Sequence, residues 1–528
     1  MHSFTSGKSR TRLLAIAAVT TATAIALAGC SSSDDSSSDA TDDLTVAVNV
    51  APTSLDPALQ NVDPTNNWFI QLAYDPLIRL TAEGTYEPDL AESWEYLDDT
   101  STQFQLTLRD GVLFNDGTEM TADDVVASLE YMLSSGVNGP TWLGADTTVE
   151  ATDESTVLIT TTEPNSQLPY MLSQRTHLGS VISPAGLEDP SALLNGSYGA
   201  GPYMLDADAT IADSTYVYVQ NPDYWDTSKQ HWDTVTLNIS GSSSASLQAV
   251  QNGEADVMRG DIATAQAGDL AGDVNVDTVS LGMFGVGYLD REGEITPELA
   301  DPLVRQALSY AIDREAITEA VWGEYGVAGN DLTLPGFPGF DEETSDSYAY
   351  DPEKAKELLA EAGYPDGFSF DMQTTNAGGA DVPAQAVVEN WAAIGVTANL
   401  TVYSDNAQLI ADTLGKKYSV GVYYYGGQPQ ILQSLSFFTG AAGQYNPFQS
   451  TDDEIFADLA AGNAAADPEE ADAAYASALE RAVVDLAWFS GVAYTPSVMI
   501  YGDGLTGLDF GPLTGSFDIA WELAPADG

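Results

Sequence analysis

The sequence predicts a mixed α/β fold of more than one domain. Three observations carry this reading: stretches of alternating apolar residues, amphipathic helices with explicit caps, and a length of 528 residues, beyond one ordinary core. Strand and helix signals alternate irregularly, and no internal repeat is visible.

The first strand is expected from Leu44, with Val46, Val48 and Val50 in alternation. In Thr102–Leu108, Phe104, Leu106 and Leu108 point one way and Gln103, Gln105 and Thr107 the other. Asp110-Gly111 and Asp116-Gly117 mark turns. Thr121-Ala122-Asp123-Asp124 resembles a capping box opening a helix whose inner face holds Val125, Leu129 and Met132. Further strands are expected at Val157–Thr162, Tyr216–Gln220 and Val235–Ile239. Asp301-Pro302 supplies an N-cap and a proline in the first helical turn. Val304, Ala307, Leu308, Ala311 and Ile312 then recur at helical spacing. Asp351-Pro352 repeats that start, with Ala355, Leu358, Leu359 and Ala362 inside and Gly363 as the stop.

The N-terminus reads as an export signal. Lys8, Arg10 and Arg12 precede an uncharged apolar run from Leu13 to Leu27, and Leu27-Ala28-Gly29-Cys30 follows. The run is shorter than the ~20 apolar residues a membrane-spanning helix needs. A leucine, two small residues and a cysteine at the cut resemble the bacterial lipoprotein signal. The expectation is a signal peptide over 1–29, lipidation of Cys30, and a Ser/Asp-rich tether over 30–43. The protein would then be exported and held to the outer face of the cytoplasmic membrane by lipid alone.

Composition narrows the chemistry. Cys30 is the only cysteine, which excludes a disulfide framework, a cysteine nucleophile and a thiolate metal site from the body. Sixteen Lys and Arg stand against 79 Asp and Glu, for a net charge of −63, a surface that repels nucleic acid. Hydrophobic content of 44% is nevertheless that of a globular protein. His177 and His231 are far apart, without a partner pattern. No nucleophile elbow, zinc-protease motif or phosphate loop occurs. Gly502–Gly507 fits Gly-x-Gly-x-x-Gly but lies too near the C-terminus for the βαβ unit that would use it. No catalytic residue, metal or cofactor is expected.

Aromatic residues are more informative. Tyr423-Tyr424-Tyr425-Gly426-Gly427-Gln428 and Asn66-Asn67-Trp68-Phe69 place flat rings beside amides, a combination that suits a wet binding cleft. Tyrosines at strand positions are equally ordinary β residues.

An ordered series of segments resembles the extracellular solute-binding proteins of ABC importers, family 5. It runs through Ser54-Leu55-Asp56-Pro57, Tyr74-Asp75-Pro76-Leu77 and Tyr86-Glu87-Pro88-Asp89-Leu90-Ala91-Glu92-Ser93-Trp94. Leu106–Gly117 leads into Thr121–Val125; Gly199–Tyr203, Asn221–Trp225 and Gln251–Asp256 follow. Helices at Val304–Ile317 and Pro352–Gly363 complete the set. The resemblance implies a two-lobed periplasmic-binding-protein-like fold with a hinge (type II, large three-domain variety). Lobe I would comprise 44–72, 200–283 and 500–528, an inserted domain 73–199, and lobe II 284–499. Strands near 284–288 and 490–500 would form the hinge.

The resemblance also implies a monomeric receptor that captures a small or short oligomeric solute and hands it to ABC permease subunits. Ligand contacts are expected from Asn67, Trp68, Trp142, Arg175, Phe284, Tyr288, Tyr423, Tyr424, Tyr425 and Gln428. Arg175 and Arg259 are candidates to meet a ligand carboxylate. Peptide-binding relatives carry an Asp near a Pro after the aromatic strand, paired with the peptide ammonium. Here Gly427-Gln428 precedes Pro429 with no acid. A glutamine hydrogen-bonds but does not neutralise a buried ammonium. A peptide or peptide-sized oligomer is the expected solute, with an oligosaccharide or other neutral solute as the alternative. A secreted hydrolase and a non-transport sensor are the readings from other classes, and the two separated histidines disfavour nickel.

Overall fold

The computed structural model describes residues 43–60, 64–135, 138–144, 146–426 and 445–526. The signal and lipidation assignments, the tether up to residue 42 and Gln428 lie outside them. Within the described chain, an eleven-stranded mixed sheet runs through the molecule. Its backbone order is 397–403, 369–375, 420–426, 275–288, 489–501, 257–260, 43–48, 234–239, 215–220 and 203–205, with 327–328 added on 489–501. Most strands are short. Asn275–Tyr288 and Phe489–Tyr501 have 14 and 13 residues and pair antiparallel almost throughout.

These two strands are the crossing between lobes. At one end 498–501 pairs with Val257–Gly260, which leads into the strands around Asp43–Val48. At the other end 282–288 pairs with Val420–Gly426. Register shifts fall between Ser280 and Gly282 and between Phe284 and Gly285. Such bulges increase local twist and bend a ladder. Pro496 sits opposite Ser280, where the ladder is already interrupted. The pairing between the two strands extends over 275–287 and takes in 284–287 of the 284–288 segment expected near the hinge.

The apolar cores follow this division. One cluster joins Leu44, Val46, Trp68, Phe104, Leu129, Val235 and Trp521. Another gathers Phe284, Tyr288, Leu308, Leu359, Trp391 and Val422. A third, with Leu80, Tyr170, Met283, Phe337, Tyr475, Phe489 and Leu513, bridges segments from both sides. A separate antiparallel sheet, Ala91–Tyr96, Gln103–Leu108, Thr156–Thr160 and Thr148–Ala151, lies in the 73–199 region.

Local signals explain most elements. Phe104, Leu106 and Leu108 are buried, as alternation requires. The Thr121 backbone N–H donates to Asp124 at 2.8 Å, the reciprocal half of a capping box, and the helix covers Ala122–Ser135. Asp301 and Asp351 accept from Leu303 and Lys354 as N-caps. Gly363 has φ of 96°, the left-handed stop that glycine tolerates.

One expectation changes. The helix expected over Val304–Ile317 is two helices, Pro302–Tyr310 and Arg314–Trp322. Asp313 caps the second by accepting from the Ala316 N–H. Its own N–H is taken by Asn390 Oδ1 at 2.8 Å, so the chain breaks there although the apolar spacing continues.

Candidate functional site

The tyrosine run forms the strand Val420–Gly426, in register Tyr423–Gly285, Tyr424–Phe284 and Tyr425–Met283. Alternation sends these rings to opposite faces. Tyr424 packs edge-on against Phe284 at 5.1 Å and near Trp322 at 6.3 Å, in the helix-covered core. Tyr423 and Tyr425 face the other way and gather Tyr445 (5.7 and 5.2 Å), and Tyr425 also meets Phe489 (5.2 Å). The Tyr423 hydroxyl accepts from Gln373 Nε2 at 2.7 Å, which orients the ring. Met283 belongs to the bridging cluster and Tyr425 packs against it.

Arg291 stands behind that aromatic wall. Its Nε donates to the Tyr288 carbonyl, and its terminal nitrogens donate to Asn446 Oδ1 and the Tyr445 carbonyl. The guanidinium also stacks on Trp488 at 4.5 Å. Burial lowers its pKa to about 9. Arg291 thereby ties Tyr445 to the crossing strand. Sequence reading missed it because an arginine before Glu292-Gly293 looks like any exposed turn residue.

The expected ligand residues do not form one surface. Trp68 is completely buried, its indole N–H donating to the Phe517 carbonyl at 3.0 Å. Phe284 is buried among Trp322 and Tyr424, and the Tyr288 hydroxyl meets Ser490 Oγ and the Arg305 carbonyl. These three rings are packing residues of the two cores, whereas Tyr424 packs against the second core and stays partly exposed. Their apolar-plus-amphipathic composition is equally good for either role, so sequence alone could not separate them. Asn67 is buried on the helix Pro64–Gln71. Trp142 is buried in the core of the 73–199 region, its carbonyl accepting from Asn165. Arg175 is buried beside a small cavity of about 20 Å³ with Gln71, Gln174, Thr514, Ser516 and Asp518, room for one water. Arg259 reaches Ser497 on the second crossing strand at 3.3 Å. His231 Nε2 meets the Trp521 carbonyl at 3.0 Å, a structural use.

The two sides also touch away from the crossing. The Ser166 N–H donates to the Asn463 carbonyl and its hydroxyl to that of Gly462, each at 2.9 Å. Tyr475 OH lies 3.2 Å from Ser166 Oγ and donates to Asn463 Oδ1 at 2.8 Å. Gly462 permits this approach, because a Cβ there would sit 2.4 Å from the Tyr475 ring. Among the described residues, no group of three His, Cys, Asp or Glu could hold a metal ion.

Two large apolar cores, a long bulged ladder between them and an aromatic cluster on its neighbouring strand describe the arrangement. The sequence matches the family described as bacterial extracellular solute-binding proteins, family 5 Middle, over residues 85–446. The chain belongs to this family. Its relatives are binding proteins. It is 29% identical over 415 residues to the dipeptide-binding protein of Escherichia coli, covering 69% of this chain and 75% of that one. It is 29% identical over 503 residues to a glutathione-binding protein of Salmonella typhimurium, covering 90% and 94%. It is 30% identical over 390 residues to heme-binding protein A of Haemophilus influenzae, covering 67% and 69%. In fold, this family 5 chain is similar to HbpA2 from Haemophilus parasuis, with a TM-score of 0.80 at 23% identity, covering 92% of this chain and 100% of that one.

Proposed function

We propose that this protein is a lipid-anchored extracellular receptor that captures a peptide or peptide-sized oligomer between its lobes and delivers it to an ABC importer permease. The observation that carries the reading is the long antiparallel pair 275–288 and 489–501, which runs between two large apolar cores. Such a pair can bend while each of the two large cores stays intact. The closed population is then set by contacts the solute makes only when both lobes touch it. No catalytic group is assigned. The lobes are taken as 44–72 with 200–283 and 500–528, an inserted domain 73–199, and 284–499. Tyr425, half-buried on its strand, is the strongest candidate contact, and Tyr423, Arg175, Asn67, Trp142 and Gln428 are the other candidates kept from the expected set. Cys30 supplies the anchor, and the protein acts as a monomer.

The relatives named for dipeptide and glutathione favour a peptide. Gln428, where peptide-binding relatives carry an acid, favours an uncharged solute such as an oligosaccharide. Calorimetry and small-angle scattering against short peptides and oligosaccharides test both readings. Binding by one class with a smaller radius of gyration is the expected result. A tight binder that leaves the radius unchanged would count against lobe closure. For the anchor, Cys30→Ala should move the protein from the membrane to the soluble fraction, and persistence in the membrane would refute it.

A further inference from the structure

Beside the Ser166–Tyr475 contact lies a groove of about 810 Å³, within the range of small-ligand sites. One wall comes from the 84–96 and 166–169 segments, the other from 336–340 and 465–475. Six of the twenty described residues that line it are aromatic, against 9% in the whole chain, so the groove is selectively aromatic. None of the described lining residues is Lys, Arg or His, whereas Glu95, Glu469 and Asp472 are present. The described lining includes no residue of the Tyr423–Tyr425 strand.

The walls differ in what they offer. Tyr86 is 38% exposed and Trp94 half-buried, so both present ring surface to a ligand. Asp472 accepts from the Gly339 N–H, which fixes the 336–340 loop. Glu95 and Glu469 are exposed carboxylates on opposite walls. Flat rings attract a cation to their faces, and carboxylates on both sides neutralise it.

We infer that this groove binds the cationic side chain of an extended ligand, the guanidinium or side-chain ammonium of a basic peptide residue. The inference rests on the receptor reading above. It gives a positive side chain a counter-charge that Gln428, an amide, does not itself carry. Acidity alone would not single out this groove, because acids are common over the whole chain. The aromatic enrichment and the two-sided placement of the carboxylates do.

The test compares three tetrapeptides by calorimetry: tetra-alanine, one with a single arginine, and the same peptide with uncharged citrulline replacing arginine. The arginine peptide should bind the full-length protein about tenfold more tightly than the citrulline peptide, with affinity falling as salt rises. The double variant Glu95→Gln/Glu469→Gln should remove that preference and leave tetra-alanine binding unchanged. Trp94→Ala should weaken the arginine peptide more than tetra-alanine. Equal affinity for arginine and citrulline peptides, with tetra-alanine still closing the lobes, would overturn the groove assignment alone. Failure of all three peptides to bind would overturn it together with the peptide reading.

Discussion

At the scale of the residue, the informative groups are charges kept inside. Asp75 is buried and accepts from the indole N–H groups of Trp225 and Trp521, each at 2.9 Å. Burial still pushes its pKa up to about 7, because two donors do not replace water around a carboxylate. Asp89, next to it, is raised by burial and then by Asp75 itself, and its Oδ1 lacks a hydrogen-bond partner among the described residues. A carboxyl whose folded pKa is raised stabilises the fold fully below its unfolded value of about 4. That contribution is lost as pH climbs through the folded value, here about 7 for Asp75. Asp331, raised to about 7, and Asp518, raised to about 6, act in the same direction. The melting temperature should therefore fall as pH rises from 4 towards 8. Asp89→Asn should make that fall shallower without abolishing it, since Asp331 and Asp518 remain. A variant whose melting curve tracks wild type at every pH would remove the pair from the explanation.

Lobe II uses its cations in a complementary way. Arg305 donates to the Leu299 and Leu486 carbonyls, and Arg314 to the Gly491 and Tyr348 carbonyls. Both are buried, and burial lowers both to about 10. In so acidic a chain these guanidiniums serve the backbone rather than a surface carboxylate.

At the scale of the element, the crossing strands are fastened on both sides of their bulges. Arg314 Nε holds the Gly491 carbonyl at 2.8 Å, and Ser497 Oγ donates to Gly515 at 2.8 Å. Gly491 passes so close to the 329–330 segment that a Cβ would meet the Gly329 carbonyl oxygen at 2.7 Å. Backbone cannot step aside as a side chain can. Gly491→Ala should cost about 2 kcal/mol or more, read from urea denaturation. A loss below about 0.5 kcal/mol would show that the strand has slack there. Strand alternation and helix caps made most elements legible in advance. The break at Asp313 was not, because it depends on Asn390, which is distant in sequence and close only after folding.

At the scale of the whole molecule, two equilibria are open to measurement. The Ser166–Tyr475 contact joins the lobes through a few hydrogen bonds, so it biases closure without locking it. Tyr475→Phe removes the hydroxyl that serves both Ser166 and Asn463. It should raise the radius of gyration of the ligand-free protein, and an unchanged scattering profile would show that the contact does not govern opening. The net charge of −63 adds a repulsion that salt screens, with a Debye length of ~10 Å at 0.1 M and ~3 Å at 1 M. Melting temperature should rise with sodium chloride over that range. A fall would mean that attractive pairs such as Arg481–Asp452 outweigh the like-charge repulsion.

The amino-acid sequence on its own determined the class of fold, the family, the positions of most strands and capped helices, and the absence of cysteine chemistry from the body. Each of these depends on neighbours along the chain or on composition. Tertiary structure alone decided which aromatics pack under the helices and which lie on the opposite face of the strand. Tyr423 and Tyr425 differ from Tyr424 only by the side of one strand, and Trp68 differs from a ligand platform only by what covers it. The groove walled by Trp94 and Glu469 was invisible for the same reason: its two sides lie hundreds of residues apart, and only lobe packing makes them one surface.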